Sequence, residues 1–524
     1  MRSKEFPVRF IVGFNSQTKS IRQTIDMLIN LMLFFLLSCS SIPRGDAERP
    51  DIVLISIDTL RADHLSCYGY ERDTTPFIDS LAADSILFER AFSTSSWTLP
   101  AHTTIMTGYP SLSHRIVDEQ FSIPADQPRI ATALQTSGWA TGAVVSASFV
   151  SRLYGFDRGF DFFEDFGLNG DNKRNLDAEI DAEDIVDRAL QWYQTLPPKQ
   201  SAFLFLHFYD AHYTCDPPSP HSTRYDPPLS PDAPRYKSYP HYQKNPLSAE
   251  ELTHQINQYD ESIHYVDTQI KRLFTQLQQA DRSVRWIITS DHGEEFGERG
   301  SWGHGHTLFK EQLHIPLIVS APASKREKTL VGLHDIAPTI AQWAGVPWTS
   351  EGISLLGDIP QRSILSETSR FSANRLSLTT ASHRLDWDVH NDTVLLFDHE
   401  RDFSERSATS NSARSNELKQ ALISELGQPW IANTSGLLRA SKGKILFQNT
   451  LRTELDLKEG MRWQAIPFDT RLRLGTDATY YTAIGNKVPT QSSPIQVSTT
   501  HQTSDVELSP ALKEHLKQLG YISD

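Results

Sequence analysis

A chain of 524 residues with 39% hydrophobic content and 10 tryptophans is long enough to bury one large α/β core with an appended domain, which excludes a disordered chain. The formal net charge of −14 argues against nucleic acid as a partner. It leaves anionic substrates open, because a bound cation can reverse the field locally.

Residues 1–50 read as an export segment and tether rather than as part of the fold. Bases such as Lys19 and Arg22 precede the apolar run Met27 to Leu37, which is too short for a comfortable membrane span. Leu36-Leu-Ser-Cys39 resembles the bacterial lipobox, in which cleavage before the cysteine accompanies its lipidation; an ordinary signal peptide is the alternative. The reading is a signal peptide over 1–38, a polar tether over 39–50, a main α/β domain over 51–346 and a C-terminal subdomain over 347–524. The only membrane association expected is through the lipid anchor, at the periplasmic or outer-membrane side of a bacterial envelope, or the protein is simply exported. Cys67 and Cys215 remain, too few for a disulfide framework, and either a pair or two free thiols fits.

Asp51 to Ile57 is a nearly continuous apolar run ending at Asp58, the pattern of a strand buried on both faces of a parallel sheet. An acid at the end of such a strand lies where open α/β sheets bind ligands. A helix is predicted over Thr75–Ala82 and a strand over Ile86–Phe92. The polar loop Ser93–Ser96 then enters Trp97-Thr-Leu-Pro-Ala-His102, with a helix opening at Pro100, where a missing N–H costs nothing. Thr98 therefore stands at a helix N-terminus, which favours an anion or alkoxide.

A helix over Ile130–Thr136 and a strand over Ala140–Val145 continue the βα alternation. Ala202–Phe208 is a second buried strand, followed by Asp210 and His212. Residues 217–246 read as a proline-rich surface excursion, a candidate wall of the substrate cleft. Ile256–Gln279 is helical, with Ile263, Val266, Ile270, Leu273 and Leu277 on one face. The third buried strand, from Val284, ends in Asp291-His292. A glycine-rich stretch containing His304 and His306 follows, and then a strand over His314–Ser320. Burying an unpaired carboxylate costs several kcal/mol, so a cation is the simplest partner for these strand-end acids.

Beyond Val346 short strands at Ile364–Glu367, Leu376–Thr379 and Val394–Asp398 predict an antiparallel sheet. A helix is expected over Leu418–Leu426, a β-rich region over Gly436–Val497 and a closing amphipathic helix over Leu508–Ile522.

Thr98-Leu-Pro-Ala-His-Thr-Thr-Ile-Met-Thr-Gly108 resembles the sulfatase signature Cys/Ser-x-Pro-Ser-Arg-x-x-x-x-Thr-Gly, and the Asp58 and Asp291-His292 motifs occur in sulfatase order. The resemblance, which covers about Asp51–Ser320, is to the sulfatase branch of the alkaline phosphatase superfamily. It implies a central mixed sheet sandwiched by helices with a smaller C-terminal domain containing an antiparallel sheet. The implied reaction is metal-dependent hydrolysis of sulfate or phosphate esters of a small molecule or glycan. Thr98 replaces the Cys or Ser that sulfatases oxidise to formylglycine, so none is expected. His102 replaces the arginine, His304 the lysine of the second signature, and Thr59 the second carboxylate. Carried over residue by residue, Thr98, His102, His212 and His304 are the catalytic candidates, and Asp58, Thr98, Asp291 and His292 hold a divalent metal. Calcium, zinc and manganese stay open, because one imidazole among oxygens suits zinc while calcium prefers six to eight oxygens. A second ion between Asp210, His212, His304 and His306 is a further option. The alternatives are a phosphodiesterase or phosphotransferase of the same superfamily, and a catalytically silent glycan-binding relative.

Overall fold

The computed structural model describes residues 49–166, 180–213, 215–225, 247–280 and 282–426, and beyond them chiefly the backbone of strands between 430 and 505. Cys39, most of the 217–246 excursion and the expected closing helix at Leu508–Ile522 lie outside the described residues.

An eight-stranded mixed sheet organises the chain. Its strands are β1 (Asp51–Ile57), β2 (Ser85–Phe88), β3 (Ala140–Val145), β4 (Phe162–Glu164), β5 (Ala202–Phe208), β6 (Val284–Thr289), β7 (Leu317–Ser320) and β8 (Lys325–Glu327), in spatial order β8-β2-β7-β6-β1-β5-β3-β4. From β6 to β4 every neighbour is parallel. β7 runs antiparallel to both β6 and β2. The apolar runs became the central strands because both faces of a parallel sheet are covered. Alternation sorts β1 cleanly: Ile52 and Leu54 enter one core, Val53, Ile55 and Ile57 the other.

The first core is completed by helices α2 (Thr98–Thr107), α3 (Ile130–Thr136) and α6 (Ile336–Ala344). The second is completed by α1 (Pro76–Ala83), α4 (Ala182–Gln194) and α5 (Ala249–Gln279). Ile263, Val266, Ile270, Leu273 and Leu277 of α5 are all buried, as their spacing predicts. The helix starts earlier than expected because Ser248 and Glu251 form a reciprocal capping box.

Two expected strands are each broken in two. Ile86–Phe92 is interrupted at Glu89–Arg90, and His314–Ser320 at Pro316; the detached ends Ala91–Phe92 and His314–Ile315 pair with each other in a small separate sheet. Proline supplies no N–H to a ladder, which explains the second break.

Four antiparallel strands, β9 (Ile364–Thr368), β10 (Arg375–Thr379), β11 (His383–Asp388) and β12 (Thr393–Asp398), form a meander covered by α7 (Ser412–Glu425). Ser366 Oγ donates to Ser93 O (2.6 Å) and Glu367 N to Thr94 O (3.0 Å), which fastens β9 to the loop before Thr98. Long antiparallel strands at Gly436–Phe447 and Arg462–Leu474 agree with the β-rich pattern of that region. Cys67 and Cys215 are both free thiols.

Candidate active site

β1 and β6 are adjacent and parallel, so the residues that follow them, Asp58 and Asp291-His292, arrive together at one edge of the sheet. Helix α2 begins at Thr98 rather than at Pro100, with Trp97 as its extended N-cap, and all ten of its residues are buried. Pro100 occupies the third position, still within the turn whose N–H groups have no intrahelical acceptor.

Thr98 Oγ1 lies 3.4 Å from His292 Nε2, which is 3.2 Å from Asp291 Oδ2 and 3.8 Å from Asp58 Oδ1. His292 Nδ1–H donates to Gly293 O (3.0 Å), so the Nε2 lone pair faces the carboxylates. Asp291 Oδ1 accepts from the N–H groups of His292 (2.9 Å) and Thr59 (3.3 Å). Asp291 Oδ2 and both oxygens of Asp58 are buried with no hydrogen-bond donor. Burial pushes the Asp58 carboxyl up to about 7 against the pull of the His292 imidazole and the Thr98 hydroxyl. Ligand atoms of Asp58, Asp291 and His292 lie within 4.8 Å of one another, a group able to hold a metal ion. Such an arrangement is costly for the protein alone and favourable around a divalent cation, so these residues fit one.

The remaining candidates divide into two groups. Thr59 turns away from the cluster, donating to Asp58 O (2.7 Å) and Ala211 O (2.9 Å) from a left-handed backbone (φ 57°). His102 Nδ1–H donates to Thr98 O (3.0 Å) while Nε2 accepts from Ser56 Oγ (3.0 Å); burial pushes its pKa down to about 3. His102 therefore clamps α2 to β1, and its Nδ1 also lies 3.4 Å from Asp291 Oδ2 of the cluster. His304 and His212 lie beside the cluster, with His304 ring centroids 4.5 Å from His292 and 5.0 Å from His212. His304 Nδ1–H donates to Glu294 (3.1 Å), which turns Nε2 into an acceptor. His212 Nδ1–H donates to Tyr213 O (3.0 Å). Burial holds both imidazoles well below their ordinary pKa.

Asp210 and His306 are placed elsewhere. Asp210 Oδ1 accepts from Ala182 N (3.0 Å) at the start of α4, and His306 is bonded to Ser301 Oγ (2.5 Å) and His304 O (3.1 Å). Among the described residues Asp210, His212, His304 and His306 do not converge as Asp58, Asp291 and His292 do.

Three site residues escape sequence reasoning. His207 Nε2 lies 3.2 Å from Asp58 Oδ2, inside the apolar run of β5; a histidine in a doubly buried strand was the available signal. Glu294 had none beyond its neighbours. Arg370 comes from the turn between β9 and β10 and lies over Trp97, the residue before Thr98, only through tertiary packing.

A mixed α/β sandwich with a threonine hydroxyl, two carboxylates and an imidazole at parallel strand ends defines an ester hydrolase of the alkaline phosphatase type. Residues 50–346 match the sulfatase family model, and the chain belongs to the sulfatase family, whose members are sulfuric ester hydrolases. It is 22% identical over 416 residues to the N-acetylglucosamine-6-O-sulfatase of Bacteroides thetaiotaomicron, covering 63% of this chain and 74% of that one. It is 23% identical over 455 residues to the arylsulfatase of Clostridium perfringens, covering 72% and 94%. Among solved structures it is similar to a protein in complex with its substrate D-glucosamine-2-N,6-O-disulfate, with TM-score 0.61 and 18% identity over 72% of this chain and 97% of that one. The phosphonate monoester hydrolase of Agrobacterium radiobacter follows closely, with TM-score 0.58 and 18% identity over 72% and 95%. At these identities the structural likeness establishes the fold.

Proposed function

We propose that this chain hydrolyses sulfate or phosphate esters of a small molecule or glycan at one divalent-metal site, with Thr98 as the nucleophile. The observation that carries the reading is the convergence of Thr98 Oγ1 and His292 Nε2 on the donor-less oxygens of Asp58 and Asp291. A catalytically silent glycan binder has no use for so costly a cluster.

Asp58, Asp291, His292 and Thr98 would hold the ion, which supplies charge to acidify the threonine hydroxyl and to polarise the ester. Thr59 spends its hydroxyl on two backbone carbonyls, so a set of few oxygens plus one imidazole favours zinc or manganese over calcium. Threonine carries a β-methyl group, so its oxidation cannot yield an aldehyde and formylglycine chemistry is closed to it. Thr98 Oγ1 instead bonds to sulfur or phosphorus as the bond to the leaving oxygen breaks. N–H groups at the α2 terminus favour the developing negative charge. His304, whose Nε2 is an acceptor while Nδ1–H is bonded to Glu294, takes the proton that the Thr98 hydroxyl loses, passes it to the leaving oxygen, and then takes one from the water that cleaves the threonine ester.

No helix among the described residues is long and apolar enough to cross a membrane. Export with Cys39 lipidated, ahead of a catalytic domain over 51–346 and a subdomain over 347–524, completes the reading.

The test compares matched aryl sulfates, phosphate monoesters and phosphodiesters on protein made without a formylglycine-generating enzyme. Thr98→Ala is expected to lose most turnover while keeping its metal, and phosphodiesters are expected to react fastest. Sulfate hydrolysis clearly exceeding phosphodiester hydrolysis, with Thr98→Ala unaffected, would overturn the mechanism.

A further inference from the structure

Both positions at which the sulfatase resemblance leads one to expect a cation at the ester carry imidazoles here, His102 bonded to Thr98 O and Ser56 Oγ and His304 bonded to Glu294. A tetrahedral anion beside the cluster would then lack a guanidinium or ammonium group from either signature. The structure supplies one from a different element.

Arg370 leaves the end of β9 in a short helical turn and is 5% exposed. Its guanidinium lies over the Trp97 ring at 4.4 Å and over Phe149 at 5.1 Å, and Trp97 is the N-cap directly before Thr98. On the other side its Cδ would lie 3.1 Å from a Cβ built on Gly305, the residue after His304. Glycine at that position has φ 82°, and its lack of a side chain lets the arginine stem pass. Thr368 Oγ1 donates to Gly305 O (2.7 Å), and Ser95 pairs with Glu367, so both loops that flank the site are tied to the strand that carries Arg370. The guanidinium is thereby held between the residue before the nucleophile and the residue after His304.

We infer that Arg370 binds the non-bridging oxygens of the scissile ester, supplying from the C-terminal sheet the fixed positive charge that the two signature positions lack. A guanidinium fork suits a tetrahedral oxyanion and stacks on aromatic rings, whereas lysine offers only a point charge. Arg370 is on this view a substrate-binding residue, and the role rests on the ester-hydrolase reading above.

Binding of inorganic sulfate and inorganic phosphate to the metal-loaded full chain, measured by calorimetry, tests it without requiring turnover. Arg370→Gln is expected to weaken the anion about 10- to 100-fold, and Arg370→Lys to recover part of the loss. With an ester substrate, KM should rise in the same order. Anion affinity of Arg370→Gln within about twofold of the parent would overturn the inference, since losing a hydrogen bond to a charged group costs about tenfold or more. If Arg370→Gln does not fold, Arg370→Lys decides, because its stem still packs on Trp97 and only the fork is lost; unchanged affinity there overturns the inference too. Arg370-dependent anion binding without turnover of any ester would instead reject the hydrolase reading and leave this one standing.

Discussion

The rim of the central sheet and the four-stranded C-terminal sheet both bury charge, but they treat it in opposite ways. In and beside the C-terminal sheet the buried ions Arg384, Asp386, His399 and Glu405 each have a partner close by. Arg384 Nε donates to Glu405 Oε1 (2.6 Å), His399 Nε2 meets the same oxygen at 2.6 Å, and Arg375 reaches both oxygens of Asp386 at 3.2 and 2.9 Å. At the rim Asp58 and one oxygen of Asp291 are as deeply buried and have no hydrogen-bond donor. A completed pair is a structural fastening, whereas an uncompleted cluster marks a place that something from outside must complete. Only the second arrangement has a ligand in its physical logic.

The contrast is sharpest at Asp291. Asp291→Ala is expected to remove the ion from purified protein and to cut kcat/KM at least about a thousandfold, on the order of 4 kcal/mol. The metal-free protein should not become less stable to denaturant, since a costly carboxylate has gone. Metal analysis with urea titration checks both, and full occupancy would break the comparison.

Glu405→Gln is expected to do the reverse. It leaves the fully buried Arg384 guanidinium short of its counter-ion, and breaking such a pair costs about 3–5 kcal/mol. Activity per folded molecule should stay within about twofold, because nothing at the rim is changed. Burial opposes ionisation of Glu405, but Arg384 and then His399 outweigh it and hold the carboxyl at about 2. A depressed folded-state pKa contributes stability above the unfolded value, near 4.5 for this group, and loses it as pH falls from there toward 2. Thermal melts from pH 6 down to pH 3 should therefore show a decline that Glu405→Gln lacks, to be read by differential scanning calorimetry.

His207→Gln probes the boundary between the two behaviours. His207 touches Asp58 from within β5, and changing a group that orients a ligand costs about 10- to 100-fold in metal affinity. Competition with a chelator measures this; an unchanged affinity would make His207 a packing residue. Ser248→Ala is the smallest expected effect and serves as the control. Loss of the α5 cap should cost about 1 kcal/mol of stability while leaving metal content and turnover alone.

Particular elements show where legibility stopped. β1, β5 and β6 were readable because strands buried on both faces must be nearly continuous apolar runs. β11 was not read as a strand: its sequence, His-Arg-Leu-Asp-Trp-Asp, carries two ions that are fully buried with partners on other segments, and local polarity hides such a strand. His102 was readable as a site residue by position, but its task was not, since both its nitrogens are occupied by Thr98 O and Ser56 Oγ.

What the amino-acid order settles by itself is local: strand-end acids, a helix N-terminus at Thr98, and the motif sequence that places Asp58, Thr98, Asp291 and His292 in one site. The first two follow from periodicity and from which residues can end a buried strand; the grouping of the four in one site is what the resemblance to the sulfatase signatures implies. Tertiary structure alone decides which nitrogen of each histidine faces the cluster, that Thr59 turns away, and that Arg370 arrives from another sheet beside Trp97. Such choices depend on hydrogen-bond partners and packing surfaces distant in the chain, and no local pattern encodes them.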